Sequence, residues 1–267
     1  MTQPDLHHQL LGTAPGVPLL LLNGIGLDTN AWGPILDPLA RARRVVLVDA
    51  RGTGRSGPAP EPCTTATMAA DALALLDRLD LPVVDVLGLS LGGLVAQELA
   101  LLAPARVRAL VLAATAARLP GRTRRTLDAW RRLLLAGTDP DALRREQVAW
   151  VLGAAALDDD AMTEAIVAAF AAAPLPPLRG FSAQADACLA HDARERAPRI
   201  QAPALVLAGR DDALVPRPST EELARLLPRG RLEVHPGGHA FLLESAGEVA
   251  ATVLRFLRDV DGPGGAA

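Results

Sequence analysis

The chain contains no tyrosine and no lysine; all 27 of its basic residues are arginine. A lysine Schiff base, a lysine general base and a phenol donating to an oxyanion are therefore excluded from its chemistry. The arginine-for-lysine usage and the abundance of alanine read as the codon usage of a GC-rich genome. Cysteine is nearly as scarce. Cys63 and Cys188 lie far apart without metal-ligand spacing, so they read as reduced structural thiols, not as a disulfide or a metal site. No membrane-spanning run is present: Val17 to Leu22 is far too short. Met1 to Gly12 lacks the basic start of a secretory signal. The formal net charge of -3 gives no basic footprint for nucleic acid. These absences lead to the expectation of a soluble cytoplasmic protein with no nucleic-acid or membrane partner.

What the chain has is apolar content and strand–helix alternation. Half of its 267 residues are hydrophobic, enough for one well-buried domain carrying an insertion. Strands are expected near Leu6 to Leu11, at Val17 to Leu22, Arg44 to Asp49, Val83 to Leu87, Arg108 to Ala113, Ala204 to Ala208 and Arg231 to His235. Helices are expected at Trp32 to Ala40, Thr64 to Leu79, after Ser90, at Pro218 to Leu227 and at Ala246 to Arg258. This order predicts an α/β fold, a mostly parallel sheet with helices on both faces. Between about Leu119 and Arg199 the alternation stops. Four helices are expected there, around Thr123 to Leu135, Pro140 to Leu152, Asp158 to Ala171 and Phe181 to Arg194, punctuated by Pro174, Pro176 and Pro177. The division is then residues 1–118 and 200–267 as the core and 119–199 as an all-helical cap, with Gly262 to Ala267 a frayed tail. There is no internal repeat.

The central stretch is Val83-Val84-Asp85-Val86-Leu87-Gly88-Leu89-Ser90-Leu91-Gly92-Gly93-Leu94. A buried strand runs into Gly-x-Ser-x-Gly and then into a segment of helical composition. That context turns a weak five-residue pattern, which alone also describes a small-residue turn, into a nucleophile elbow. In such a turn the serine takes a strained conformation, and its oxygen stands clear at the C-terminal edge of the sheet. Ser90 needs a base, and the base needs an orienting acid. Of the 5 histidines, His7 and His8 precede the first strong strand, His191 falls in the insertion and His235 inside the last strand. His239 sits in a loop just beyond that strand, on the edge where ligands bind. The acid should follow another strand at the same edge, and Gly209-Arg210-Asp211-Asp212 supplies two adjacent carboxylates. The strand before Ala114-Thr115-Ala116-Ala117 supplies none. The oxyanion donors are expected to be the Leu91 N–H and one from Asn23-Gly24-Ile25-Gly26, with Ile25 preferred and Gly24 the alternative.

These segments, together with Asp49-Ala50-Arg51-Gly52-Thr53-Gly54-Arg55-Ser56 and Gly238-His239, fall in an order that resembles the α/β-hydrolase superfamily over most of the chain. The resemblance selects Asp212, three residues after Gly209, as the acid. Within the superfamily, Asn23 to Gly26 and Leu110 to Ala116 look like the medium-chain polyhydroxyalkanoate depolymerases. Other parts are similar to 3-oxoadipate enol-lactonases and small carboxylesterases. Two positions depart from the pattern: Asn23 stands where most members have histidine, and Leu91 where the depolymerases have tryptophan.

The implied activity is hydrolysis of a carboxylic ester, thioester or lactone through an acyl-enzyme, on a small-molecule acyl substrate, with no metal or cofactor. The same residues could serve perhydrolysis, carbon–carbon bond hydrolysis, acyl transfer or a tailoring step; the fold could also act as a binding module, which an intact triad argues against. Asp49 and Arg51 are expected to brace their turn, and Glu244 to hold the loop near His239. Trp130 and Trp150 read as helix-packing residues before substrate platforms. Arg118, Arg122, Arg124, Arg125, Arg131 and Arg132 read as a solvated helix face. An acidic substrate or an acyl-carrier protein is the alternative for them, and a homodimer is the other partner considered.

Overall fold

The computed structural model describes residues 5–59, 61–172 and 177–262. Pro174, Pro176 and the tail beyond Gly262 lie outside them. Seven strands form one sheet in the order β1-β3-β2-β4-β5-β6-β7. They are β1 (His8–Leu11), β2 (Leu19–Leu22), β3 (Val45–Val48), β4 (Val84–Leu89), β5 (Val107–Ala113), β6 (Ala204–Gly209) and β7 (Gly230–His235). Only β1 runs antiparallel, pairing His8 with Val48 and Leu11 with Val45; the other five pairings are parallel.

The reason for the two-sided burial is visible in β2. Leu19 and Leu21 pack with α1 (Gly33–Ala42) and α11 (Ala246–Asp261) on one face. Leu20 and Leu22 pack with α2 (Thr65–Arg78) and α3 (Leu91–Leu102) on the other, the face that α9 (Arg217–Leu226) covers further along at β6 and β7. Four leucines in a row, none more than 5% exposed, suit a strand covered on both sides and no other position. Asp85, fully buried in the central strand, interrupts that apolar pattern. Its carboxylate accepts two hydrogen bonds from Arg108 on the neighbouring strand, at 2.8 and 2.5 Å. Burial raises the Asp85 carboxyl above its ordinary range even so.

Topology places the site. From β2 the chain steps outward to β3, then crosses back over β2 to β4, and continues in the opposite direction through β5, β6 and β7. The reversal lies between β2 and β4, where open α/β sheets hold their ligands at the carboxyl ends of the strands. Asn23 to Gly26 follow β2 there, and Ser90 follows β4.

Between β5 and β6 stand α4 (Gly121–Leu135), α5 (Pro140–Val151), α6 (Ala154–Leu157), α7 (Asp160–Ala172) and α8 (Leu178–Ala190). The expected four helices are present, and α6 is an additional short turn. It is separated from α5 because Gly153 packs directly on Gly237: a Cβ on Gly153 would meet the Gly237 Cα at 2.8 Å. Another short helix not foreseen, α10 (Phe241–Glu244), follows His239. Among the described residues no helix is long and apolar enough to cross a membrane.

Candidate active site

Ser90 joins β4 to α3 with φ 52° and ψ -113°. This region is rare for a residue bearing a Cβ and is strained. The surroundings hold it there. The Ser90 N–H donates to the Ala113 carbonyl at 2.9 Å, and its own carbonyl accepts from the Thr115 hydroxyl at 2.9 Å. The flanking glycines are a matter of space. A Cβ on Gly88 would lie 2.4 Å from the Gly92 oxygen, and one on Gly92 would lie 2.0 Å from the Leu22 oxygen. Strand, turn and neighbouring strand approach too closely for any side chain at either position.

The structure brings the three sequence-selected side chains together. His239 Nε2 is 3.0 Å from Ser90 Oγ, and His239 Nδ1 is 2.9 Å from Asp212 Oδ2. Each element contributes one: the elbow after β4, the loop after β6 and the loop after β7. Asp212 is buried, while Asp211 is exposed and uses its N–H to reach the Gly237 carbonyl. The second Asp212 oxygen accepts from the Leu214 and Val215 N–H groups at 2.9 and 2.8 Å. A carboxylate with both oxygens engaged is fixed in direction.

The segments that carry the two expected oxyanion donors, the start of α3 and the loop after β2, adjoin Ser90. Leu91 follows Ser90 at the start of α3. Gly24 is close by, since a Cβ there would lie 3.7 Å from the Ser90 Cβ. Among the described residues neither the Leu91 N–H nor the Ile25 N–H is taken up by an internal hydrogen bond. Asn23 is buried, and its side-chain N–H donates to the Val48 carbonyl at 3.0 Å, tying this loop to β3.

The bracing residues behave as the sequence suggested. Asp49 accepts from the Thr29 N–H at 2.7 Å and the Arg55 N–H at 2.9 Å. Arg51 is paired bidentately with Asp71 at 2.5 and 2.7 Å. Glu244 accepts from the Gly238 N–H at 2.9 Å, so it does hold the His239 loop; its other oxygen accepts from the Gly153 N–H at 3.0 Å. Trp130 and Trp150 meet edge to face at 6.4 Å. Both indole N–H groups donate to one carboxylate, Glu146, at 2.8 Å each. Arg131 and Arg132 share Asp128, and Arg118 lies 3.6 Å from Asp192.

Cys63 and Cys188 are free and buried. Burial pushes their thiols up to about 11 and about 12, so neither is primed as a nucleophile. His235 stacks on Phe241, and burial lowers its pKa. Among the described residues no group of three His, Cys, Asp or Glu side chains could hold a metal ion.

Sequence reasoning missed two side chains that join the helical segment to the site and a third that joins two of its own helices. Gln184 on α8 accepts from the Gly26 N–H at 2.9 Å and donates to the Arg51 carbonyl at 2.8 Å. The Thr123 hydroxyl on α4 donates to the Leu214 carbonyl. Glu146 links the two tryptophans. The one available hint for Gln184 was Gly180, four residues earlier on the same helix face.

Comparison with known proteins gives concordant results. A family model described as alpha/beta hydrolase fold matches residues 17–246. A protein of Variovorax paradoxus named "Putative carbamate hydrolase RutD" is 37% identical, over 97% of this chain and 98% of its own. Its namesake in Azorhizobium caulinodans is 34% identical, over 96% of both chains. The crystal structure of "Putative non-heme bromoperoxidase BpoC" from Mycobacterium tuberculosis H37Rv superposes with a TM-score of 0.88 at 30% identity, covering 96% of each chain.

Proposed function

This chain belongs to the α/β-hydrolase family and is a hydrolase, and from that premise we propose that it cleaves a carboxylic ester, thioester or lactone through an acyl-enzyme on Ser90. The observation that carries this reading is the hydrogen-bonded line from Ser90 Oγ to His239 Nε2 at 3.0 Å and from His239 Nδ1 to Asp212 at 2.9 Å. In the first step Ser90 Oγ attacks the acyl carbon while His239 Nε2 takes its proton. Asp212 holds the ring and stabilises the imidazolium. The negative charge that develops on the carbonyl oxygen is met by the N–H groups of Leu91 and Ile25, with the N-terminal end of α3 behind it. Collapse expels the alkoxide, thiolate or ring oxygen, which receives the proton from His239. Water then attacks the acyl-enzyme with His239 again as base, releasing the acid and restoring Ser90.

The helices between β5 and β6 act as the cap. They carry hydrogen-bonding side chains or backbone groups to three of the site's loops: Gln184 to Gly26, Thr123 to Leu214 and Gly153 to Glu244. Substrate enters between them and the sheet edge, and the acyl group lies against a leucine- and alanine-rich surface.

A second reading has a specific basis. The relatives from Variovorax paradoxus and Azorhizobium caulinodans carry the name of a carbamate hydrolase. A carbamate presents the same carbonyl to Ser90, made less electrophilic by the adjoining nitrogen, so the oxyanion donors must do more. One experiment addresses both readings. A fluorophosphonate probe should label Ser90 stoichiometrically. A panel of p-nitrophenyl acyl esters, lactones, acyl thioesters and carbamates should then give turnover on at least one class. Absence of labelling and of turnover across the panel would sink the acyl-enzyme mechanism; turnover confined to carbamates would select the second reading.

A further inference from the structure

Gln184 is fully buried, on a helix that contributes nothing else polar to the sheet edge. Its two ends are chemically unlike, and each meets its only suitable partner. The Gly26 N–H can only donate, so the group facing it is the amide oxygen, at 2.9 Å. The Arg51 carbonyl can only accept, so the group facing it is the amide nitrogen, at 2.8 Å. The amide orientation is therefore fixed by its neighbours.

The helix is brought close enough by a glycine–glycine contact one turn earlier. A Cβ on Gly180 would lie 1.9 Å from the Gly52 oxygen. Gly52 has φ +82°, and a Cβ on it would lie 2.8 Å from the Gly180 Cα. Residues i and i+4 share a helix face, so the approach at Gly180 delivers Gln184 to the space between the β2 and β3 loops. The far side of that space is rigid: the Arg51 side chain is clamped by Asp71 and also donates to the Pro62 carbonyl at 3.2 Å.

We propose that Gln184 is a positioning residue for the oxyanion loop, holding Gly26 and hence the preceding Ile25 N–H against the rigid Arg51 turn. This rests on the acyl-enzyme reading of Ser90. Oxyanion stabilisation depends on a donor already in place when charge develops. Gly26 adjoins the donor residue, and its own N–H has no other acceptor among the described residues. Without Gln184 that partly buried N–H loses its fixed acceptor and is left to water, so the loop is free to turn and carry Ile25 with it. Because the amide stands on α8, the placement of the donor also depends on the helical segment being seated. A ligand that loosened α8 would lower the chemical step without touching Ser90.

The test compares Gln184→Leu and Gln184→Glu with the wild type and with Ser90→Ala on one p-nitrophenyl ester. Leucine has neither donor nor acceptor. It should lower kcat by about 10- to 100-fold, a fraction of what removing an oxyanion donor costs, and change KM by less than about threefold. Glutamate can accept from Gly26 in either state but can donate to the Arg51 carbonyl only when protonated. The ratio of Gln184→Glu to wild-type kcat should therefore rise as pH falls from about 8 to about 5; taking the ratio cancels the titration of His239. A leucine variant that loses its activity through KM, or keeps kcat within about twofold of wild type, overturns the proposal, and so does a glutamate ratio that is flat in pH. Should the leucine variant not fold, the glutamate profile decides alone. If Ser90→Ala hydrolyses the ester as fast as the wild type, it is the acyl-enzyme reading that fails, which the Gln184 variants then do not bear on.

Discussion

The Asp212 side chain divides its two oxygens between two tasks: Oδ2 faces His239 Nδ1 at 2.9 Å, and Oδ1 is held by the N–H groups of Leu214 and Val215. Its neighbour Asp211 is exposed. The same two-residue acidic run thus supplies one oriented carboxylate and one solvated one. Asp212→Asn should leave the imidazole in the wrong tautomer and lower kcat by roughly 10⁴, as in the serine-protease precedent. Asp211→Asn should leave kcat near wild type and shift stability by no more than about 0.5 kcal/mol. Steady-state kcat of both variants on one ester checks the assignment, and the reverse ranking would move the acid to Asp211.

Ser90 combines a hydroxyl 3.0 Å from His239 Nε2 with a backbone φ of 52°. The two can be separated by mutation. Ser90→Ala removes the hydroxyl and keeps the strained backbone, so turnover should fall by on the order of 10⁶ with little change in urea midpoint. Ser90→Gly removes both, and glycine occupies positive φ freely. It should be the more stable of the two by about 1 kcal/mol. Equal urea midpoints for the two variants would mean that the elbow stores no strain.

Glu98, on the far side of α3 from β4, is buried against His191 and Arg196. Burial alone would raise its carboxyl. Hydrogen bonds from His191 and from Arg196, the latter bidentate at 2.6 Å, outweigh that and lower it from 4.5 to about 2. A carboxyl depressed in the folded state contributes stability above its unfolded pKa and loses it as pH falls towards the folded value. The contribution is on the order of 3 kcal/mol. It should be complete above about pH 4.5 and fade between there and about pH 2. Glu98→Gln should be less stable than wild type at neutral pH by a similar amount, and the gap should narrow as the solution is acidified. Urea midpoints at a series of pH values check this, and a gap that does not narrow would contradict it.

The elements most legible in the sequence are those whose local chemistry admits one structure. Leu19–Leu22 read as a strand buried on both faces, and the strand before and helix after Gly88, Ser90 and Gly92 made that weak pattern an elbow. His239 followed from its place beyond a strand at one edge; the same edge offered Asp211 and Asp212, and the family resemblance chose Asp212. What was not legible is contact across long stretches of chain. Gln184 lies 158 residues from Gly26, and Thr123 lies 91 from Leu214. A glutamine inside an alanine-rich helix has no local signature, because its partners are backbone groups and leave no pattern of their own. Glu146 was hidden for a related reason: its role depends on Trp130, on another helix. The additional turn at α6 follows from the packing of Gly153 on Gly237, which no periodicity reports.

Glu244 offers the last prediction, because it joins the His239 loop to the helical segment through one carboxylate. Oε1 accepts from the Gly238 N–H, the residue before His239, and Oε2 from the Gly153 N–H, between α5 and α6. A further bond runs beside it, from the Ala240 N–H to the Val151 carbonyl at 2.8 Å. Glutamine keeps the shape of the side chain but replaces one acceptor by a donor, so an N–H is set against an N–H. Alanine withdraws from both and leaves room for water. Since hydrogen bonds to a charged group contribute about 1.5–3 kcal/mol each, Glu244→Gln should destabilise the protein by roughly 2 kcal/mol or more, and Glu244→Ala no more than glutamine does. The effect on catalysis should follow the loop and not the base itself. The kcat should fall by about tenfold as His239 loses its fixed direction, while the pH midpoint of kcat/KM stays at the wild-type value, because the group that titrates is unchanged. Urea midpoints and pH–rate profiles of the two variants provide the check. A glutamine variant as stable as wild type would show that the carboxylate does not bridge the two loops, and a displaced pH midpoint would show that Glu244 acts on the charge of His239.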